Sequence, residues 1–515
     1  MARMGFETAR AVILSVAVAA AAAAASCGGE KSSTFHNSGS SGDSVGLSGN
    51  GGSGSALSGS SVSGSTVTTL PDGAVVGNIP DPNCPSGGNT TVSGIVYDPA
   101  LQNPLYNITV FIPNQLSDLP NLNSGASCAA CADYYPANIV AAAGTDVNGH
   151  FTITKAANGP PIPVGKSIPI VVQTGKWRMA FTLGEVTACQ DNVAPDKTLR
   201  LPSKASEGNL PDIAISTGGA DSLECLPLRI GIDSSEYVAG GGGPGHLHIF
   251  QGAGGATMTG GTPKSPASLW DSQADLMKND VVLLSCEGAE TTGVTMASRT
   301  DLQDYANNGG RVFASHFHYS WFNQPPFSTE NLATWTPGAN ALDDNKFFPG
   351  AVVTTLNSTT GGTFPEGVAL GQWLGVVNAL DANGLLDIWY SRHNADVSTM
   401  NTPSQPWIVL DKSSSMDPGA TQYFSWDTPV GTAGAEKCGR VVYSDLHVSG
   451  GPGKAEGTVP PDYPMARGMQ GGTVPGQCAM HPLTPQEKAL EFMLFDLSSC
   501  LIPVGSPPTP PITPK

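Results

Sequence analysis

The segment Arg311-Val-Phe-Ala-Ser-His-Phe-His-Tyr-Ser-Trp-Phe322 follows a Gly309-Gly310 pair and runs from an apolar strand into two histidines set among aromatic residues. Just before it, residues 298–307 fit a helix. Ser298 and Asp301 are spaced like a capping pair, Leu302 and Tyr305 share one face, and Gly309 closes it. A helix feeding an apolar strand through a Gly turn is one unit of a parallel sheet with helices on its faces.

The same grammar extends in both directions. Residues 212–221 read as a buried strand ending in a Gly turn, and residues 222–229 as a short helix interrupted by Pro227. Residues 246–251 form a second strand, and Val281-Val-Leu-Leu284 a third that ends in Ser285-Cys286-Glu287-Gly288. Residues 323 to about 436 break the rhythm and read as a large insertion, with strands expected near 387–390 and 422–426. The pattern resumes at Gly439-Arg-Val-Val-Tyr-Ser-Asp-Leu-His-Val448. The last helix has Thr484 as cap, Pro485 at its first position, Glu487 three after the cap, and a stripe of Ala489, Leu490, Met493, Leu494 and Leu497. The expectation for residues 210–500 is a doubly wound, mostly parallel α/β sheet. The Pro-rich tail 501–515 is expected to be extended or disordered.

The chain of 515 residues is long enough for several domains, and its 13% charged residues with 63 Gly and 42 Pro suit a loop-rich exported protein. A formal charge of -18 and the lack of any Lys/Arg block exclude nucleic acid as a partner. Arg3 and Arg10 precede an apolar run from Ala11 to Ala25, the layout of a secretory signal over residues 1–26. Ala24-Ala-Ser-Cys27 resembles a bacterial lipobox, which implies Cys27 as the lipidated first residue and attachment through acyl chains. The other reading is a signal peptide cut after an Ala. Residues 27–88, mostly Ser, Gly, Asn and Thr, then read as a flexible tether. Nine scattered cysteines beyond Cys27 fit structural disulfides with at least one left over. Cys128-Ala-Ala-Cys131 is read as disulfide-forming rather than as a redox or zinc pair, because neither a second such motif nor a nearby His accompanies it.

Residues 89–205 alternate with period two, as in Thr91-Val-Ser-Gly-Ile-Val-Tyr97, and Asn148-Gly149 marks a tight turn. Val92-Ser-Gly-Ile-Val-Tyr-Asp98 and Thr145-Asp-Val-Asn-Gly-His-Phe-Thr-Ile153 resemble the carboxypeptidase regulatory-like family, which implies a small, prealbumin-like all-β sandwich without catalysis. The strands at 213–216, 280–284, 309–316 and 439–447 resemble the ThuA-like branch of the class I glutamine-amidotransferase-like fold. In that branch a Gly-Gly strand ending in His and a late Gly-Arg-Val strand ending near His recur. The whole arrangement is similar to a family of uncharacterised bacterial surface lipoproteins. Gly28 after the lipid Cys implies the outer membrane.

In such sheets ligands bind at the carboxyl ends of the strands. Three strand ends carry reactive side chains: Cys286 with Glu287, His316 with His318, and Asp445 with His447. Ser-Cys-Glu-Gly resembles a nucleophile elbow, although Ser285 replaces its first Gly and His316 occupies the position where the resemblance implies the nucleophile. Cys286 is otherwise a buried or disulfide-bonded residue. As a catalytic set the candidates are His316, His318, Cys286 and Glu287. As a metal set they are His316, His318, Asp445 and His447: an extended His-x-His would point both rings to one side, and zinc or iron would be the cofactor, with none expected otherwise. Packed histidines under a loop are the structural alternative. Trp335, Trp373, Trp389, Trp407 and Trp426 could bind a glycan or an envelope protein, or serve the core. The expected function is that of an exported, lipid-anchored, non-catalytic binding or structural module. The alternative is a hydrolase of sugar or amide substrates using the His/Asp cluster.

Overall fold

A single mixed sheet of ten strands dominates the computed structural model. The structure describes residue 84, residues 87–448 except 130 and 158, residues 473–476, 478 and 480–511, and the backbone of 68–69 and 75–76. The signal segment, Cys27 and most of residues 27–88 lie outside the described residues. In chain order the ten strands are β1 (Ile213–Thr217), β2 (Tyr237–Ala239), β3 (Leu247–Gln251), β4 (Val281–Leu284), β5 (Arg311–Ser315), β6 (Phe347–Val352), β7 (Leu386–Trp389), β8 (Ser404–Leu410), β9 (Thr421–Thr428) and β10 (Gly439–Ser444). Their spatial order is β2-β3-β1-β4-β5-β10-β9-β8-β6-β7.

From β2 to β10 every pairing is parallel, and from β10 to β7 every pairing is antiparallel. The segment expected as an insertion therefore supplies four strands of the sheet itself. Two of them were legible, and the other two carry Pro349 and Pro406. Proline donates no ladder hydrogen bond, and the register of β8 against β9 shifts at Pro406, as a bulge requires.

Both faces of the sheet are covered, which explains the apolar runs Ile213–Ile215, Val281–Leu284 and Val312–Ala314 in its parallel strands. Ile213, Ile215, Val281, Leu283 and Phe313 share one core with Leu490, Met493 and Leu494. Ala214, Val282, Leu284, Val312 and Ala314 share the other with Leu302, Tyr305 and Trp321. The last helix, Pro485–Ser498, has the expected capping box: Thr484 Oγ1 accepts from Glu487 N, and Thr484 N donates to Glu487 Oε2 at 2.9 Å. The helix before β5 spans Met296–Asn307. Its cap is Thr295 and Ser298 is the third helical residue, so the cap lies three residues before the expected one. Among the described residues no helix is long and apolar enough to cross a membrane.

Residues 91–200 build two four-stranded sheets. One pairs Thr91–Tyr97 with His150–Ile153, Asp191–Val193 and Leu199–Arg200, and the other has the order Ile139–Gly144, Thr109–Pro113, Pro169–Thr174, Trp177–Thr182. Val92, Val96 and Ile153 of the first and Val110, Ile112, Ile170 and Val172 of the second belong to the same core as the last helix. Tyr106 stacks on Phe492 of that helix, and Trp177 meets Phe495 edge-on.

Four disulfides close, in keeping with the cysteine usage: Cys84–Cys189, Cys128–Cys438, Cys131–Cys500 and Cys225–Cys478. Cys128 and Cys131 thus do not bond to each other, and each ties the loop after Thr109–Pro113 to the region of the large sheet. Cys286 is the free cysteine among the described residues, and it is buried.

Candidate functional site

Because β4, β5 and β10 are parallel neighbours, their carboxyl ends lie side by side. Cys286 follows β4 by two residues, His316 follows β5 directly, and Asp445 and His447 follow β10. The strand end at β5 is abrupt. His316 adopts φ +41°, a left-handed conformation that a non-Gly side chain takes only at some cost. Residues His316–His318 then form a 3-10 turn that leads into the short helix Tyr319–Phe322. The expected extended His-x-His is thereby corrected, since a turn does not hold the two rings on one side.

The turn separates the histidines. His316 Nδ1 lies 3.4 Å from Cys286 Sγ, and its Nε2 lies 3.1 Å from Ala339 O. Its ring is 5.0 Å from that of His447 at an interplanar angle of 75°. His318 instead folds back, with Nδ1 3.0 Å from Ser315 O. His447 Nδ1 lies 3.4 Å from Tyr390 O, while its buried Nε2 has no hydrogen-bond partner among the described residues. Cys286, His316 and His447 present ligand atoms all within 4.8 Å of one another, so this buried group could hold a metal ion.

That triad differs from the metal set read from sequence. Asp445 Oδ2 accepts from Asn394 N at 2.7 Å and from Ala395 N at 3.0 Å, and Tyr443 Oη lies 2.8 Å from its Oδ1. The same hydroxyl is 2.8 Å from His316 O, so Asp445 pins loop 394–395 and steadies the turn behind His316. Glu287 lies against Gly252, beyond the end of β3. Gly218 is required where β1 passes Cys286, because a Cβ there would sit 2.2 Å from the Cys286 carbonyl oxygen.

Burial sets the protonation of the group. Cys286 is 0%, His316 2% and His447 0% exposed, values that leave no direct path to solvent. Desolvation pushes the Cys286 thiol up to about 12 and pulls His316 down to about 3 and His318 to about 4, with His447 also held well below its ordinary value. Asp445 is pushed up to about 7 by the same cause. The thiol and its imidazole neighbour are both neutral at pH 7, the opposite of the thiolate–imidazolium pair that activates a nucleophilic cysteine.

Sequence reasoning missed Tyr443, Asn394, Tyr390 and Arg392. Tyr390 has φ +64°, its ring lies 5.0 Å from that of His447, and the Arg392 guanidinium stacks on it at 3.6 Å. For Arg392 and Asn394 the signal was the polar run Ser391-Arg-His-Asn394 that follows an apolar strand. The five tryptophans turn out to serve packing: Trp373, Trp389, Trp407 and Trp426 are at most 4% exposed, and half-buried Trp335 stacks on Phe322. The four buried rings are closed off from solvent.

No family model matches the chain, and no curated protein matches it. Among solved structures, a cytoplasmic protein, STM3548 from Salmonella typhimurium, is 11% identical and matches 46% of this chain and 87% of its own, with a TM-score of 0.26. The exo-beta-1,4-mannosidase Op5Man5 from Opitutaceae bacterium strain TAV5 is 11% identical over 46% of this chain and 31% of its own, with a TM-score of 0.20.

Proposed function

We propose that this chain is an exported protein, lipid-anchored through Cys27 in the bacterial outer membrane, and a non-catalytic binding or structural module of the cell envelope. In this reading residues 89–205 are a carboxypeptidase regulatory-like sandwich and residues 210–500 a doubly wound, amidotransferase-like domain without the amidotransferase nucleophile. Both belong to a surface lipoprotein whose partner is an envelope protein or glycan. Two four-stranded sheets sharing one core support the first assignment, and six parallel strands covered on both faces support the second.

The observation that carries the non-catalytic reading is the complete burial of the strand-end group. A thiol held near 12 beside neutral imidazoles, closed from solvent, is not poised to attack a dissolved substrate. The four disulfides suit an oxidising compartment. A hydrolase of sugar or amide substrates is the second reading, favoured by the 3.4 Å contact between Cys286 and His316, with zinc or iron at the strand-end group as its cofactor.

Membrane fractionation of cells expressing the wild type and Cys27→Ser tests the anchor. The wild type should sediment with the outer membrane and the variant should be released; retention of Cys27→Ser sinks lipidation. Purified protein should show no Cys286-dependent turnover of amide or glycoside substrates. Turnover abolished by Cys286→Ser would replace this reading with the hydrolase.

A further inference from the structure

We infer that Cys286 Sγ, His316 Nδ1 and His447 Nε2 form a coordination site for a single zinc ion, enclosed at the carboxyl ends of β4, β5 and β10. The inference rests on the reading of this group as closed and non-catalytic, and it gives that group a role.

Three features of the geometry point to a metal rather than to packed histidines. The first is the pairing of the ring nitrogens. His316 places Nε2 on Ala339 O and His447 places Nδ1 on Tyr390 O, and a backbone carbonyl can only accept, so each of these nitrogens carries its proton. Both rings are thereby fixed in the tautomer whose other nitrogen has a lone pair. Metal-bound histidines are oriented in this way, with the outer N–H donating to a carbonyl. His316 directs its lone pair toward Cys286 Sγ, and the Nε2 of His447 is a buried acceptor that nothing among the described residues satisfies. Such an orphan is costly in a packed interior, and a cation within reach removes that cost.

The second feature is spacing. Zinc bonds of about 2.3 Å to sulfur and about 2.0–2.1 Å to nitrogen at a tetrahedral angle put S and N about 3.6 Å apart. The observed separation between Cys286 Sγ and His316 Nδ1 is 3.4 Å, and the whole set lies within 4.8 Å. A bound ion would draw the His447 ring inward from that outer limit.

The third feature is ligand chemistry and charge. One thiolate with two imidazoles is a soft-to-borderline set that suits zinc and disfavours magnesium or calcium. Uptake would transfer the Cys286 proton to solvent and form a zinc–sulfur bond, leaving one positive charge on the ion and its thiolate. Asp221 and Arg392, of opposite sign, both act electrostatically on Cys286, so the thiolate itself is the main counter-charge to the ion.

The test uses the full chain, solubilised in detergent, alongside full-length Cys27→Ser, with all four disulfides verified by mass mapping. After loading with zinc and gel filtration, both should hold about one zinc per chain. Cys286→Ser and His447→Gln should lose at least roughly tenfold in zinc affinity, as removal of an interaction at a metal site does. Cobalt loading gives a readout that needs no variant to fold: the wild type should show a thiolate-to-cobalt charge-transfer band. Wild-type protein with its disulfides intact that takes up no zinc and gives no such band overturns the site. Zinc retained unchanged in both variants also overturns it, and exclusive uptake of cuprous ion overturns the choice of zinc. Turnover by the zinc-loaded protein would sink the non-catalytic reading and leave the ion in place, whereas an inert, metal-free protein would do the reverse.

Discussion

Replacing Glu491 with Gln should stabilise the protein, by an amount that grows with pH. Glu491 sits in the last helix at 0% exposure and accepts from Asn103 Nδ2 at 2.7 Å. Its carboxyl meets that of Asp98, which belongs to the first four-stranded region and is already bound by Gln102 N and Asn103 N. Two buried carboxyl groups in contact cannot both ionise, so one proton is shared between them. Burial, reinforced by the Asp98 charge, raises Glu491 well above its ordinary 4.5, and burial raises Asp98 to about 6. A raised folded-state value means that the contribution to stability is complete below the unfolded value and is lost as pH climbs toward the folded one. Above pH 4.5 the unfolded chain releases the Glu491 proton and the folded chain keeps it, so stability falls by about 1.4 kcal/mol per pH unit. Gln needs no proton and can still accept from Asn103 while donating to Asp98. Denaturant titrations followed by tryptophan fluorescence, with disulfides intact, should therefore give near-equal stabilities at about pH 4.5 and a gap that widens with pH by up to about 1.4 kcal/mol per unit. A gap that does not change with pH, or a less stable variant at neutral pH, would refute the shared proton.

Other outcomes follow from the same packing. In full-length Cys27→Ser, without added metal, Cys286 should resist a thiol reagent in native buffer and react fully in denaturant, because it is buried with its thiol near 12; native labelling at the rate of a free thiol contradicts that burial. Trp373→Ala should cost about 3–5 kcal/mol, since the ring is 1% exposed and its Nε1 donates to Pro104 O at 2.6 Å; a melting temperature unchanged in calorimetry would show that the site refills. Arg440→Met should cost about 3–5 kcal/mol by stranding Asp427 and Asp496, which accept from its Nε and Nη1 at 2.7 and 2.8 Å, and a double variant with Asp427→Asn should recover part of the loss. Thr484→Ala should cost about 1 kcal/mol and fray the last helix, read as faster amide exchange at residues 486–488.

What was legible in the sequence was local. The last helix announces itself because cap, Pro485 and apolar stripe agree, and the run from Val312 to Ala314 is apolar because helices cover both faces of its strand. The cap at Thr295 was misplaced because Ser298, a good capping residue, closes the box from inside the helix. β6 and β8 were hidden by prolines that sheets accept only where the ladder is interrupted. At the site, the strand ends were readable and the ligand set was not. Nothing local says that His316 takes a left-handed φ at the start of the turn that parts it from His318, or that Asp445 is taken up by Asn394 N, Ala395 N and Tyr443 Oη, which leaves Cys286 beside the pair His316–His447.

The antiparallel half of the sheet also determines what kind of site this is. A parallel sheet alone leaves its carboxyl ends open, which is where α/β proteins bind their ligands. Here the chain leaves β5, builds β6 and β7, and returns through β8 and β9 before β10, so residues 390–395 are carried back across those ends. Asp445 fastens them by accepting from Asn394 N and Ala395 N, and Arg392 N donates to Asp445 O at 3.0 Å. Gln486 of the last helix bonds both Trp389 O and His447 O, which ties the same loop to the opposite core. The residues that cover His447 are thus held from both sides of the sheet by groups that are themselves buried. The position that an open α/β sheet offers to substrates is closed over here, and the His447 Nε2 lone pair is left as a buried acceptor without a partner among the described residues, which the proposed zinc ion would satisfy.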